Sequence, residues 1–178
     1  MQPTAIHPGN LLGLATDPSK VDRLKEPLGQ VIGHAIVQSG ADMDRSAVVV
    51  GRGDGERGPT LVAQVVPVDA QDPAYRPLFS TLHLVAVAIH GVVKDKPAND
   101  ETVFDEAVSR TRMVLASRNI DPALAPLLAE SAAAAINTQA FAEAMVMTLN
   151  PDGRLLVLKA PVLARLLFEF QQAAAPSA

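Results

Sequence analysis

Residues 47–66, "AVVVGRGDGERGPTLVAQVV", decide how the fold is read. Gly53-x-Gly55-x-x-Gly58 follows directly on an apolar run, the spacing of a dinucleotide-binding loop. That loop works because its glycines turn a strand tightly into a helix, whose amino end then holds the pyrophosphate. Here Gly58 is followed by Pro59-Thr60 and the β-branched run "LVAQVVPV", which has no helical period. The glycines therefore mark the tip of a hairpin between "SAVVVG" and "LVAQVVPV". Residues 51–60 are expected to form a long, mobile, charged loop. The stretch also lacks the Gly-Lys-Ser/Thr ending of a phosphate-binding loop. Its Arg52-Gly53-Asp54 tripeptide has no secretory signal beside it.

Four charged residues crowd this tip: Arg52, Asp54, Glu56 and Arg57. They read either as a solvated loop or as an interaction finger that orders on a neighbouring subunit.

Working outward, the helix signals are caps followed by apolar stripes. Asp17-Pro18 opens "ATDPSKVDRLKEPLGQVIGHAIVQSG", whose stripe is Val21, Leu24, Leu28, Val31, Ile32, Ala35 and Ile36. Gly40 is its stop, and Pro27 is expected to kink it or move its start to about Glu26. "NDETVFDEAVSRTRMVLASRN" begins at Asn99 or Asp100, with acids early and arginines late, matching the helix dipole. Asp121-Pro122 opens a second, alanine-rich helix, and Leu163, Leu166, Leu167 and Phe170 mark a closing one.

Between these, "FSTLHLVAVAIHGVV" is apolar at both odd and even positions and is predicted as a central strand covered on both faces. "AFAEAMVMTLNPDGRLLVLKAP" is predicted as a hairpin turning at Asn150-Pro151-Asp152-Gly153. The expected fold is a single α+β domain over residues 17–170, mainly antiparallel, with about four to five strands flanked by three to four helices. An extended arm (1–16) precedes it and a flexible tail (171–178) follows.

Composition narrows function by exclusion. Apolar residues make up 48% of the 178, which suits a packed core. Only 3% are aromatic and the net charge is −4 without a basic cluster, which argues against nucleic-acid binding. The absence of cysteine removes disulfides, thiolate zinc sites and thiol nucleophiles. The longest strongly apolar run, Leu84–Ile89, is far shorter than a membrane span needs, and the amino terminus lacks signal-peptide character. The expectation is a chain that binds no membrane and stays in the cytoplasm.

No catalytic constellation stands out. His83 and His90 would lie on opposite faces of a strand, while His7 and His34 sit in the arm and the first helix. Asp69 and Asp72 fit turn chemistry, and Asp105/Glu106 fit an exposed helix face with Arg110 in reach. Ala132–Ala135 reads as a close-packing helix face, and Met145 and Met147 as strand core. No nucleophile elbow, cofactor site or metal site is expected.

The element order adds one resemblance. A leading helix, a hairpin with a long loop, "STLHLVAVAIHGVV", the turn "KDKPAND", the helix "ETVFDEAVSRTRMVLAS" and the late strand "AFAEAMVMTL" together resemble the small α+β tail-terminator and tail-completion proteins of tailed phages. The resemblance spans roughly residues 20–150 and carries no diagnostic motif. It implies a non-enzymatic virion component that acts as an oligomeric ring, with copies of itself and other virion proteins as partners. It would be made in the cytoplasm of a host bacterium. Two rival readings are a small enzyme or ligand-binding domain using at least two of His34, His83, His90 and a carboxylate, and an adaptor or immunity-type protein with one flat binding face.

Overall fold

The structure is a computed structural model that describes residues 18–97, 100–149 and 154–174. In chain order the elements are α1 (Pro18–Ser39), β1 (Ser46–Gly55), β2 (Gly58–Pro67), α2 (Arg76–Val93), α3 (Glu101–Ser117), α4 (Ala125–Ile136), β3 (Met145–Leu149), β4 (Leu155–Lys159) and α5 (Ala160–Ala174). Single 3-10 turns, Pro73–Tyr75 and Pro122–Leu124, lead into α2 and α4. The four strands form one antiparallel sheet in the order β2-β1-β4-β3. This is a single-domain α+β fold, as the sequence implies.

Alternation along the strands sorts the core into two layers. Ala47, Val49, Val146, Leu156 and Leu158 face α2 to α5 and join Phe79, Leu82, Ile89, Leu115 and Leu163 in the larger core. Val48, Val50, Leu61, Leu155 and Val157 face the other way. There Leu28, with Val31, Ile32, Ala35 and Ile36 of α1, covers them. The sheet is thus sandwiched between one helix and a layer of four.

The predicted central strand is a helix. Residues 76–93 form α2, and its buried positions Phe79, Leu82, Val85, Ile89, Val92 and Val93 recur every three or four residues. The strand-like alternation arises because the opposite side of the helix also carries apolar residues, Leu84 and Val87. Tertiary packing overrides the β-branched composition here. Phe79 anchors the helix, with the Tyr75 and Phe170 rings each centred 5.9 Å from its own. With its leading turn, Pro73–Val93 is long and apolar enough to cross a membrane by length and composition. In the fold, one face of that helix is packed into the core.

Smaller corrections have equally local causes. α1 runs through Pro27 from Pro18, without the later start. It ends as expected at Gly40, whose φ of +59° is the left-handed conformation glycine tolerates best. α5 continues to Ala174, so the first residues assigned to a tail are helical. The turn at residues 150–153 and the arm at 1–16 lie outside the described residues.

The two edges of the sheet are finished differently. At the β3 edge, Ser131 of α4 donates its hydroxyl to the Met147 carbonyl oxygen at 2.6 Å. That carbonyl belongs to the set pointing away from β4: Ala160 N–H bonds the Ala144 oxygen, and alternate pairs along this register point outward. A helix side chain thus satisfies one outward carbonyl of this short strand. The ten-residue β2 edge has no such cover among the described residues.

Candidate interaction surface

The hairpin is longer and more regular than its glycines suggest. β1 and β2 pair without interruption from Ser46↔Pro67 to Gly55↔Gly58, leaving a two-residue turn of Glu56 and Arg57, both exposed. The expected ten-residue loop at 51–60 is therefore strand on both sides. Glycine at 53, 55 and 58 does not forbid pairing, and register with the apolar run carries the ladder onward. β4 pairs with β1 only over Val48–Val50. From Arg52 to Gly55, β1 has β2 as its only described strand partner, so this part of the hairpin is a two-stranded ribbon beyond the sheet. Arg52 and Asp54 lie on β1 opposite Leu61 and Pro59.

The free edge of β2 can be resolved group by group. Val68 N–H bonds the Arg45 carbonyl oxygen, one step beyond the Ser46↔Pro67 pair. Alternation then points the N–H and C=O of Leu61, Ala63 and Val65 away from β1. Pro59 and Pro67 occupy the flanking outward positions, where an amide hydrogen would have no partner within the chain. A groove of about 650 Å³ runs beside this edge, bounded by Gln30, Val31, His34, Ala35, Gln38 and Ser39 of α1 and by Leu61–Val65. Among the described residues that bound it there is no Asp, Glu, Lys or Arg.

A second cleft, about 300 Å³, opens where the end of α2 meets α3 and α4. Val93, Val103, Phe104, Ala107 and Phe141 supply apolar wall, with Lys96, Glu130 and Asn137 as polar groups. Glu130 keeps a solvent-facing edge, yet enough protein surrounds it that burial raises its carboxyl above the usual carboxylate range. Asp100, also at this cleft, caps α3 by accepting from the Thr102 and Val103 amides at 3.0 and 3.3 Å.

The three described histidines, His34, His83 and His90, do not converge. On a helix, residues seven apart share a side, so His83 and His90 lie on the same flank of α2 and not on opposite faces. Two turns, about 10 Å, separate them, too far for one ion to reach both rings. His34 lines the α1 groove without a carboxylate, and the Glu130 cleft holds no histidine. Among the described residues no three metal-ligating side chains cluster. Asp69 and Asp72 accept from the Gln71 and Ala74 amides at 2.8 and 2.9 Å, which is turn and cap chemistry. Glu106 pairs with Arg110 at 2.9 Å, and Arg110 also reaches the Ala88 carbonyl of α2.

What sequence reasoning missed is the backbone. The open edge carries no motif, and the prolines that flank it are its only trace in the residues. Comparison with protein-family models, with curated proteins and with solved structures finds no match to this chain.

Proposed function

We propose that this chain is a non-enzymatic assembly protein, working by contact between copies of itself and with other structural proteins through the β1–β2 hairpin. One observation carries the reading. Between Pro59 and Pro67, β2 offers three successive outward-facing residues, Leu61, Ala63 and Val65, with no Asp, Glu, Lys or Arg among the described residues of its groove, whereas natural edge strands are blunted along their length by charge, proline, brevity or cover. Such an edge is either an aggregation hazard or an interface, and the contrast with the five-residue β3 edge, where Ser131 takes up the Met147 carbonyl, favours the second.

The narrower reading, a tail-terminator or neck component forming a ring in a phage virion, draws support from the leading helix, the projecting hairpin and the late strand. It loses the third strand of the element order on which it rests, since α2 is a helix. The Glu130 cleft favours one other reading, a domain that binds a small ligand. An organic cation with an apolar body suits a partly desolvated carboxylate among Val, Ala and Phe walls.

Amide hydrogen exchange tests the assembly reading. The Leu61, Ala63 and Val65 amides have no acceptor within the sheet. Protection at these three, growing with protein concentration, supports the proposal. Exchange at the rate of a free edge at every concentration contradicts it.

A further inference from the structure

The outward-facing positions of β2 read Pro59, Leu61, Ala63, Val65, Pro67, a set symmetric about Ala63. Two such strands laid antiparallel across a two-fold axis at Ala63 bring Ala63 opposite Ala63 and Leu61 opposite Val65. Pro59 then falls opposite Pro67. Each copy supplies three amides and three carbonyls, so the ladder closes with about six backbone hydrogen bonds. The residues that cannot donate fall together at its two ends. No other residue of β2 centres the prolines on each other in this way.

Two further observations agree with this arrangement. The axis stands perpendicular to the sheet, so both α1 helices lie on one side and approach along Gln30, His34 and Gln38. Among the described residues of that row there is no Asp, Glu, Lys or Arg, and His34 is its one ionisable side chain. Past the ends of the paired strands, the same arrangement brings Arg57, in the turn of one hairpin, toward Asp69 of the other copy, twice over. Both residues are exposed, and neither belongs to an ion pair among the described residues.

We propose that β2 is a two-fold interface with a second copy of this chain, the strands pairing antiparallel about Ala63 to join two four-stranded sheets into one. The partner is identified by self-complementarity: the alternating backbone groups, the proline spacing and the end charges each match their own rotated image. This proposal rests on the assembly reading, but that reading in its general form does not need this register.

Cysteine cross-linking reads the register directly, because the chain has no cysteine of its own. Val62 and Gln64 are exposed on β2, so single replacements there leave the core intact. Across the axis Val62 stands opposite Gln64, whereas Val62–Val62 and Gln64–Gln64 lie about 8 Å apart, beyond disulfide reach. Mixing V62C with Q64C under mild oxidation is expected to give the mixed disulfide at least tenfold faster than either variant bonds to itself. A dominant self-disulfide, or no disulfide in a protein that light scattering shows to be multimeric, overturns this interface and leaves the assembly reading standing. A monomer at every concentration overturns both. A charge change that keeps the Asp69 turn bond to the Gln71 amide supplies a second readout: R57E should weaken association several-fold, and D69N added to R57E should restore part of it. No restoration counts against the register.

Discussion

Ser131 Oγ lies 2.6 Å from the Met147 carbonyl oxygen and 3.0 Å from that of Leu127, so one hydroxyl serves both α4 and the outer edge of β3. A hydroxyl has one proton to give, and the shorter contact marks where it goes. This bond takes up one outward backbone group at the β3 edge, whereas the β2 edge has no such cover among the described residues. Ser131 is fully buried, so Ser131→Ala strands the Met147 carbonyl. The expected cost is about 1–2 kcal/mol in urea denaturation. A loss indistinguishable from zero would mean that Ser131 does not hold this carbonyl.

The adjacent strand residue presents the opposite case. Thr148 is fully buried and its hydroxyl has no hydrogen-bond partner. Thr148→Val keeps the shape and removes the orphaned group. Stability should rise by about 1 kcal/mol, seen as a higher urea midpoint at unchanged m-value.

Helix α2 is testable through faces that a strand does not have. In an alternating strand Val85, Val87 and Ile89 share a face. In α2, Val85 and Ile89 are fully buried whereas Val87 is 64% exposed. Ile89→Ala should cost about 2–5 kcal/mol, while Val87→Lys should change stability by less than about 0.5 kcal/mol. Equal, large losses at both positions would return the segment to a strand.

Glu130 gives a pH dependence with a definite sign. Burial raises its folded-state pKa above the unfolded value. The neutral form is therefore favoured by folding, and that stability is present at acid pH and lost as pH rises through the folded pKa. Glu130→Gln should match wild type well below the carboxylate range and be the more stable protein at neutrality. Solvent at its exposed edge holds the gain under about 1 kcal/mol. Parallel pH profiles for the two proteins would contradict the assignment.

How far the sequence reaches is clearest at the Asp-Pro pairs. Asp121-Pro122 reads as the start of a helix, and its Asp121 carboxylate does accept the Ala123 amide at 2.9 Å. Asp72-Pro73 makes the same contact with Ala74 but reads as a turn, because the segment downstream of it is apolar at odd and even positions alike, the pattern of a strand covered on both faces. Length is the signal that separates the two: no Gly, Asn or Asp interrupts residues 74–90, too long a run for one strand. The β1–β2 pair is legible from its β-branched runs, but not its extent. Glycines usually end strands, and only cross-strand register shows that these do not. The open edge depends on strand order, which local pattern does not encode. Glu130 is invisible in the sequence because α3 and the end of α2, remote from it along the chain, build its surroundings.

The most direct test of the central claim, that this chain acts by associating with other copies through its hairpin, is the molar mass in solution by light scattering across a range of concentrations. The account expects a multiple of the 18.7 kDa chain mass, falling toward the monomer when Ala63→Pro removes the central outward amide. A constant 18.7 kDa for the unaltered protein at every concentration would contradict it.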